Sequence, residues 1–164
     1  MRIWLLSVAL YASTVAAAGA SDLVKDLSSA AAPVQSAALK ASLDIRLAQQ
    51  KMINNERVAC VGMGRERCSR MIAEDRIKGP DLSGVTQTGP SVAQAKKDGR
   101  AAYDAWIVGK KPDQVTAAKK LYAAWLTQLD AVVSLPDPLD AGQSPAGIAY
   151  TQAVNEFQID NPPE

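Results

Sequence analysis

The stretch SVAQAKKDGRAAYDAWIVGKKPDQVTAAKKLYAAWLTQLDAVV, residues 91–133, carries two helical stripes separated by one short turn. In its first half Val92, Ala95, Gly99, Ala102, Tyr103, Trp106 and Ile107 fall on one face of a helix. In its second half Val115, Ala118, Tyr122, Trp125, Leu129 and Val132 recur at alternating three- and four-residue steps. Ser91 and Gln94 have the spacing of a capping box, in which serine caps the backbone and glutamine reaches back to it. Gly109, Lys110, Lys111 and Pro112 close one helix and open the next, and so short a connection makes the two antiparallel neighbours. Folding this hairpin predicts Trp106 near Val115 and Gly99 near Tyr122. Glycine inside a helix costs about 1 kcal/mol relative to alanine. Its place on the apolar stripe therefore predicts close approach of an aromatic side chain.

Upstream, Leu23, Leu27, Val34, Ala38, Ala41, Ile45, Ala48 and Met52 mark an amphipathic helix from Ser21 to about Ala59. Pro33 interrupts it, predicting either a kink or a short first helix ending near Ala31, with Pro33 in the first turn of the next. Beyond Gly62 and Gly64, residues Arg65 to Lys78 can form a shorter helix that buries Cys68, Met71, Ile72 and Ile77. A loop of about a dozen residues follows, through Gly79 and Pro80 to Gly89 and Pro90, which is long for a compact domain. Downstream, Pro136 and Pro138 stop the hairpin, and Ser144 and Pro145 introduce a last helix from Ala146 to Phe157. No segment keeps the period-two alternation of a strand. The sequence predicts an all-α bundle of four or five helices with a central antiparallel hairpin. Its organisation reads as a leader at residues 1–20, one helical domain at 21–158 and a frayed tail at 159–164.

The leader reading rests on Arg2, an apolar run from Ile3 to Ala18, and small residues at Ala18 and Ala20. This is the pattern of a secretory signal peptide cut after Ala20, and it predicts a periplasmic or secreted protein. The apolar run contains Ser7, Ser13 and Thr14 and is too short for a comfortable bilayer span, so no stable membrane anchor is expected after cleavage. In an oxidising compartment the two cysteines of the chain, Cys60 and Cys68, read as one short-range disulfide.

Past the leader, seventeen lysines and arginines balance seventeen acids. A neutral chain is a poor partner for polyanions, so nucleic acid is not expected as a ligand. Residues 94–120 nevertheless carry seven bases against three acids, and residues 134–164 carry five acids and no base. That asymmetry reads as solvated faces, or as the acidic end packing on the basic hairpin.

The chain has no histidine. Ser-His-Asp and Cys-His catalysis, imidazole metal sites and imidazole pH switching are thereby excluded. No nucleotide-binding glycine loop or calcium loop is present, so no cofactor or metal and no catalytic residue is assigned. Carboxylate chemistry on a cell-wall glycan is the alternative, with Glu56, Glu66, Glu74 and Asp75 as candidates. It would need two carboxyls about 5 Å apart for retention, or about 6.5 to 9.5 Å apart for inversion. Those acids alternate with Arg57, Arg65, Arg67, Arg70 and Arg76, as on an ordinary salt-bridged helix face. A further alternative is a small-molecule or lipid carrier with a cavity lined by Tyr103, Trp106, Tyr122 and Trp125, residues that read first as core.

The candidate contact element is the loop closed by Cys60 and Cys68. A disulfide across it would pin Val61, Met63, Arg65 and Arg67 into a protruding knuckle, and preorganisation lowers the entropic cost of docking. Methionine adapts to irregular pockets and arginine is enriched at binding hot spots. The lysines and Arg100 of the hairpin form a second basic set, which reads as a solvated face. The expected role is binding another envelope or secreted protein, as an inhibitor, an immunity protein or an assembly adaptor.

Overall fold

The computed structural model describes residues 20–162. Residues 1–19 of the predicted leader at 1–20, and residues 163–164 of the tail, lie outside them. The described residues form α1 (Ala20–Ala59), α2 (Arg65–Lys78), α3 (Gly89–Trp106), α4 (Pro112–Ser134) and α5 (Pro145–Asp160), with a short 3-10 helix at Pro138–Gly142 before α5. No strand occurs among them.

Helix α1 runs unbroken through Pro33, so the expected split near Ala31 is corrected. Pro33 deprives the carbonyl four residues back, that of Ser29, of its partner. Both residues are exposed, so water can take the place of the missing N–H. Leu27 and Val34 are buried on the opposite face and hold the helix on the core across the interruption.

The first part of α1 packs on α3, and α4 packs on α5, around one interior. Leu23, Leu27, Val34 and Ala38 of α1 meet Val92, Tyr103 and Trp106 of α3, Leu121, Trp125 and Leu129 of α4, and Phe157 of α5. Trp125 and Phe157 are each 1% exposed, and full burial of such side chains contributes about 1.5 to 3 kcal/mol apiece. The hairpin of α3 and α4 is antiparallel: Tyr103 stacks on Tyr122 with ring centroids 4.9 Å apart, and Lys96 pairs with Asp130 about two turns away.

The register differs from the expected one by about a turn. Gly99 faces Trp125 instead of Tyr122, and a Cβ at Gly99 would overlap the Trp125 ring. The aromatic approach was legible, but which aromatic was not. A second close approach went unread: Gly147 is buried at the start of α5, where a Cβ would meet the backbone carbonyls of Ala141 and Gly142.

Helix starts also depart from expectation. No capping box forms at Ser91, because α3 begins two residues earlier with Gly89 and Pro90 in its first turn. Proline at the second position needs no N–H partner, and Gln94 instead donates to Asp98 at 2.8 Å. A glutamine does reach back at the start of α4, where Gln114 accepts from the Lys111 N–H at 3.1 Å. Ser144 caps α5 by accepting from the Gly147 N–H. That helix runs on past Phe157 to Asp160, and Asn161 is buried with its Nδ2 donating to the Phe157 carbonyl.

Candidate functional site

Helix α1 is about 60 Å long at its rise of about 1.5 Å per residue, and its far part leaves the bundle behind. From residue 43 to residue 87 the only buried side chain is Glu56. Helix α2 buries no residue and packs on α1 alone. The expected burial on α2 is corrected accordingly: Cys68, Met71 and Ile72 are half-buried, and Ile77 is 86% exposed. A two-helix hairpin has one shared seam and no second layer to cover it, which is why these apolar positions stay open. The result is an arm projecting from the bundle.

The tip of the arm is built by the sequence in small steps. The Cys60 N–H continues the helix to the Glu56 carbonyl, then Val61 tightens to Val58 at 3.1 Å and Met63 to Cys60 at 3.1 Å. Gly62 takes φ +80, a backbone region that favours glycine. Gly64 is extended, and the Cys68 N–H closes the first turn of α2 by donating to the Gly64 carbonyl at 3.1 Å. Cys60 and Cys68 are bridged, with Cα atoms 5.2 Å apart.

Of the four predicted contact residues, Val61 is 81% exposed, Arg65 and Arg67 are exposed, and Met63 is half-buried. Val58, which the sequence reading passed over, stands beside them at 73% exposure. Its signal was available: an apolar residue two positions before Cys60, beyond the α1 stripe that ends at Met52. Arg65 and Arg67 line an open depression on α2 with Glu66, Arg70, Met71 and Glu74.

The four candidate acids are dispersed. Glu66 is 93% exposed and pairs with Arg70 at 3.6 Å. Glu74 lines the same depression, Asp75 lines a separate groove with Lys51, Lys78 and Asp81, and Glu56 is buried with its Oε1 lacking a partner among the described residues. No cluster of metal-ligating side chains occurs among the described residues.

The base of the arm is latched by polar contacts. Asp44 of α1 accepts from both the hydroxyl and the backbone N–H of Thr86, at 2.7 and 3.0 Å. These two hydrogen bonds, the hydroxyl first, hold the Asp44 carboxyl below the usual carboxylate range. Asp81 is lowered by Ser83 within the same loop, here by the backbone N–H first and the hydroxyl second. On the other side Asp137, between α4 and α5, accepts from Ser42 at 3.0 Å and lies 4.0 Å from Arg46. The long loop is thus ordered where it meets the arm.

The aromatic quartet forms packed core: Tyr122 and Trp125 lie 5.8 Å apart, and Trp106 contacts Phe157 at 5.3 Å. The basic hairpin is largely solvated, with Lys110 over the Trp106 ring at 4.9 Å and Arg100 paired to Asp104 at 2.8 Å. Of the acidic end, Glu156 and Asp160 share a groove with Lys120 and Asp113, whereas Asp137 turns to α1. No known protein family, curated protein or solved structure matches this chain.

Proposed function

We propose that this chain is an exported, periplasmic or secreted helical protein that acts by binding another protein through the tip of its arm. The observation that carries the reading is the arm itself. A polar helix that buries nothing is held against α1 at its tip by a disulfide, and Val58 and Val61 remain open to solvent there. Neither the bundle core nor any other helix needs α2. Isolated helices of this length are marginal in water, so a preformed α2 is an expense that docking would justify. Export is supported by the leader pattern at residues 1–20 and by the disulfide. No helix among the described residues is long and apolar enough to cross a membrane. The partner belongs to the same compartment, and inhibition of an envelope enzyme or a place in an envelope assembly are the roles that fit.

The test is a pull-down from an envelope fraction with the chain lacking residues 1–20. Met63→Asp and Arg65→Glu are expected to abolish capture while leaving helicity and melting temperature unchanged. Capture undiminished by both substitutions would remove the tip as the contact element.

A further inference from the structure

We infer that the arm tip recognises an acidic protein surface, its arginines pairing with carboxylates that border a small apolar recess for Val61. The inference rests on the reading of the tip as the contact element and adds the chemistry of what it contacts.

The two basic residue types are segregated along the chain. Six of the seven arginines beyond residue 20 lie between Arg46 and Arg76. Residues 57–70 hold four arginines, no lysine and one acid, whereas residues 94–120 hold six lysines and one arginine. Lysine is a strongly hydrated point charge, and it suffices where only solubility is needed. Arginine presents a planar fork that matches a carboxylate or phosphate in two parallel hydrogen bonds. Placing arginine on the arm and lysine on the hairpin therefore separates a recognising surface from a solvating one.

The guanidinium groups at the tip are also available. Arg57, Arg65 and Arg67 are exposed and make no ion pair within 4.0 Å among the described residues. Among the described residues Arg70 forms an ion pair with Glu66, itself 93% exposed, and such a surface pair is worth little against a better-placed partner.

Phosphate would satisfy the same forks, but two features favour carboxylates on a protein. The chain past residue 20 is neutral, and Glu66, Glu74 and Asp75 interrupt the arginines on α2, which weakens binding to a uniform polyanion. Val58 and Val61 at 73% and 81% exposure call for an apolar complement beside the charges. A protein surface provides both within a few ångströms.

The experiment places a benzophenone amino acid at Val61 in the full chain, exported in its source cell, with the same probe at Ile159 on α5 as the control. The expected result is a Val61-specific cross-link to a protein, mapped to a peptide that carries Asp or Glu. With that pair purified, exchanging Arg57, Arg65, Arg67 and Arg70 for lysine is expected to weaken affinity at least tenfold at unchanged net charge and helicity. Arg65→Glu with Arg67→Glu is expected to abolish it. Wild-type affinity in the lysine variant, or a cross-linked peptide without carboxylates, would overturn the acidic complement and leave the tip as the contact element. Cross-links to lipid or nucleic acid, cross-links from Ile159 alone, or none from Val61 would overturn both readings.

Discussion

Gly99 and Trp125 show how one missing methyl group sets the spacing of two helices. The indole occupies the volume a Cβ would need, and Trp125 keeps this place although its Nε1 finds no acceptor among the described residues. Gly99→Ala gains about 1 kcal/mol of helix propensity but overpacks a filled site, which typically costs about 1 to 3 kcal/mol. The expected outcome in urea unfolding is net destabilisation. Trp125→Phe opens space at the same point, so Gly99→Ala in that background is expected to be neutral or stabilising, and a double-mutant cycle reads the coupling directly. Asp44 gives a second residue-scale expectation. Its carboxyl is held low in the folded chain, so the latch to Thr86 is fully present above the ordinary carboxylate value of about 4 and is lost as pH falls through the lower folded value. Amide exchange at Thr86, corrected for its intrinsic pH dependence, is expected to accelerate only below that value. In Asp44→Ala it is expected to be fast already at neutral pH.

At the scale of elements, the disulfide and α2 form a unit whose stability differs from that of the bundle. Closing so short a loop contributes about 2 to 3 kcal/mol on the chain-entropy account, and α2 has no buried side chain with which to replace it. Cys60→Ser with Cys68→Ser is expected to lose exchange protection throughout residues 65–78 while near-ultraviolet dichroism from Trp106 and Trp125 persists. Simultaneous loss of both signals would show instead that arm and bundle fold as one. The existence of α2, from Arg65 to Lys78, was legible because Gly62 and Gly64 punctuate the chain before it and Gly79 and Pro80 after it. Its lack of a buried face was not, since Cys68, Met71, Ile72 and Ile77 have helical spacing whether or not a second layer covers them. The start of α3 was misread for a related reason: Ser91 and Gln94 satisfy a capping pattern locally, but Gly89 and Pro90 can enter the helix ahead of them. Periodicity identifies a face, and only the tertiary arrangement decides what covers it.

Over the whole molecule, the apolar residues divide between a bundle that buries them and an arm that leaves several of them open to solvent. The bundle was readable from the stripes of α1, α3 and α4, because each residue type there meets its physical preference. The arm was readable as a helix and a cysteine-closed turn but not as a projection, because a chain segment that leaves its valines and isoleucines in water departs from those preferences, and the departure is visible only in three dimensions. If the bundle is the scaffold and the arm the contact element, the two can be separated. Ala48 of α1 and Gly79 after α2 line the same groove, so the arm leaves and returns to the bundle at neighbouring points. Excising residues 51–78 and joining Gln50 to Gly79 through a short glycine linker removes the tip, its disulfide and most of the arginines. It leaves Asp44, Thr86 and every buried apolar residue of the core in place. The shortened chain is expected to keep the thermal midpoint and tryptophan emission of the parent within a few degrees and a few nanometres, on the order expected for a surface deletion. It is expected to lose partner capture completely. A shortened chain that unfolds would make the arm part of the folding unit, and one that still captures the partner would move the contact surface onto the bundle.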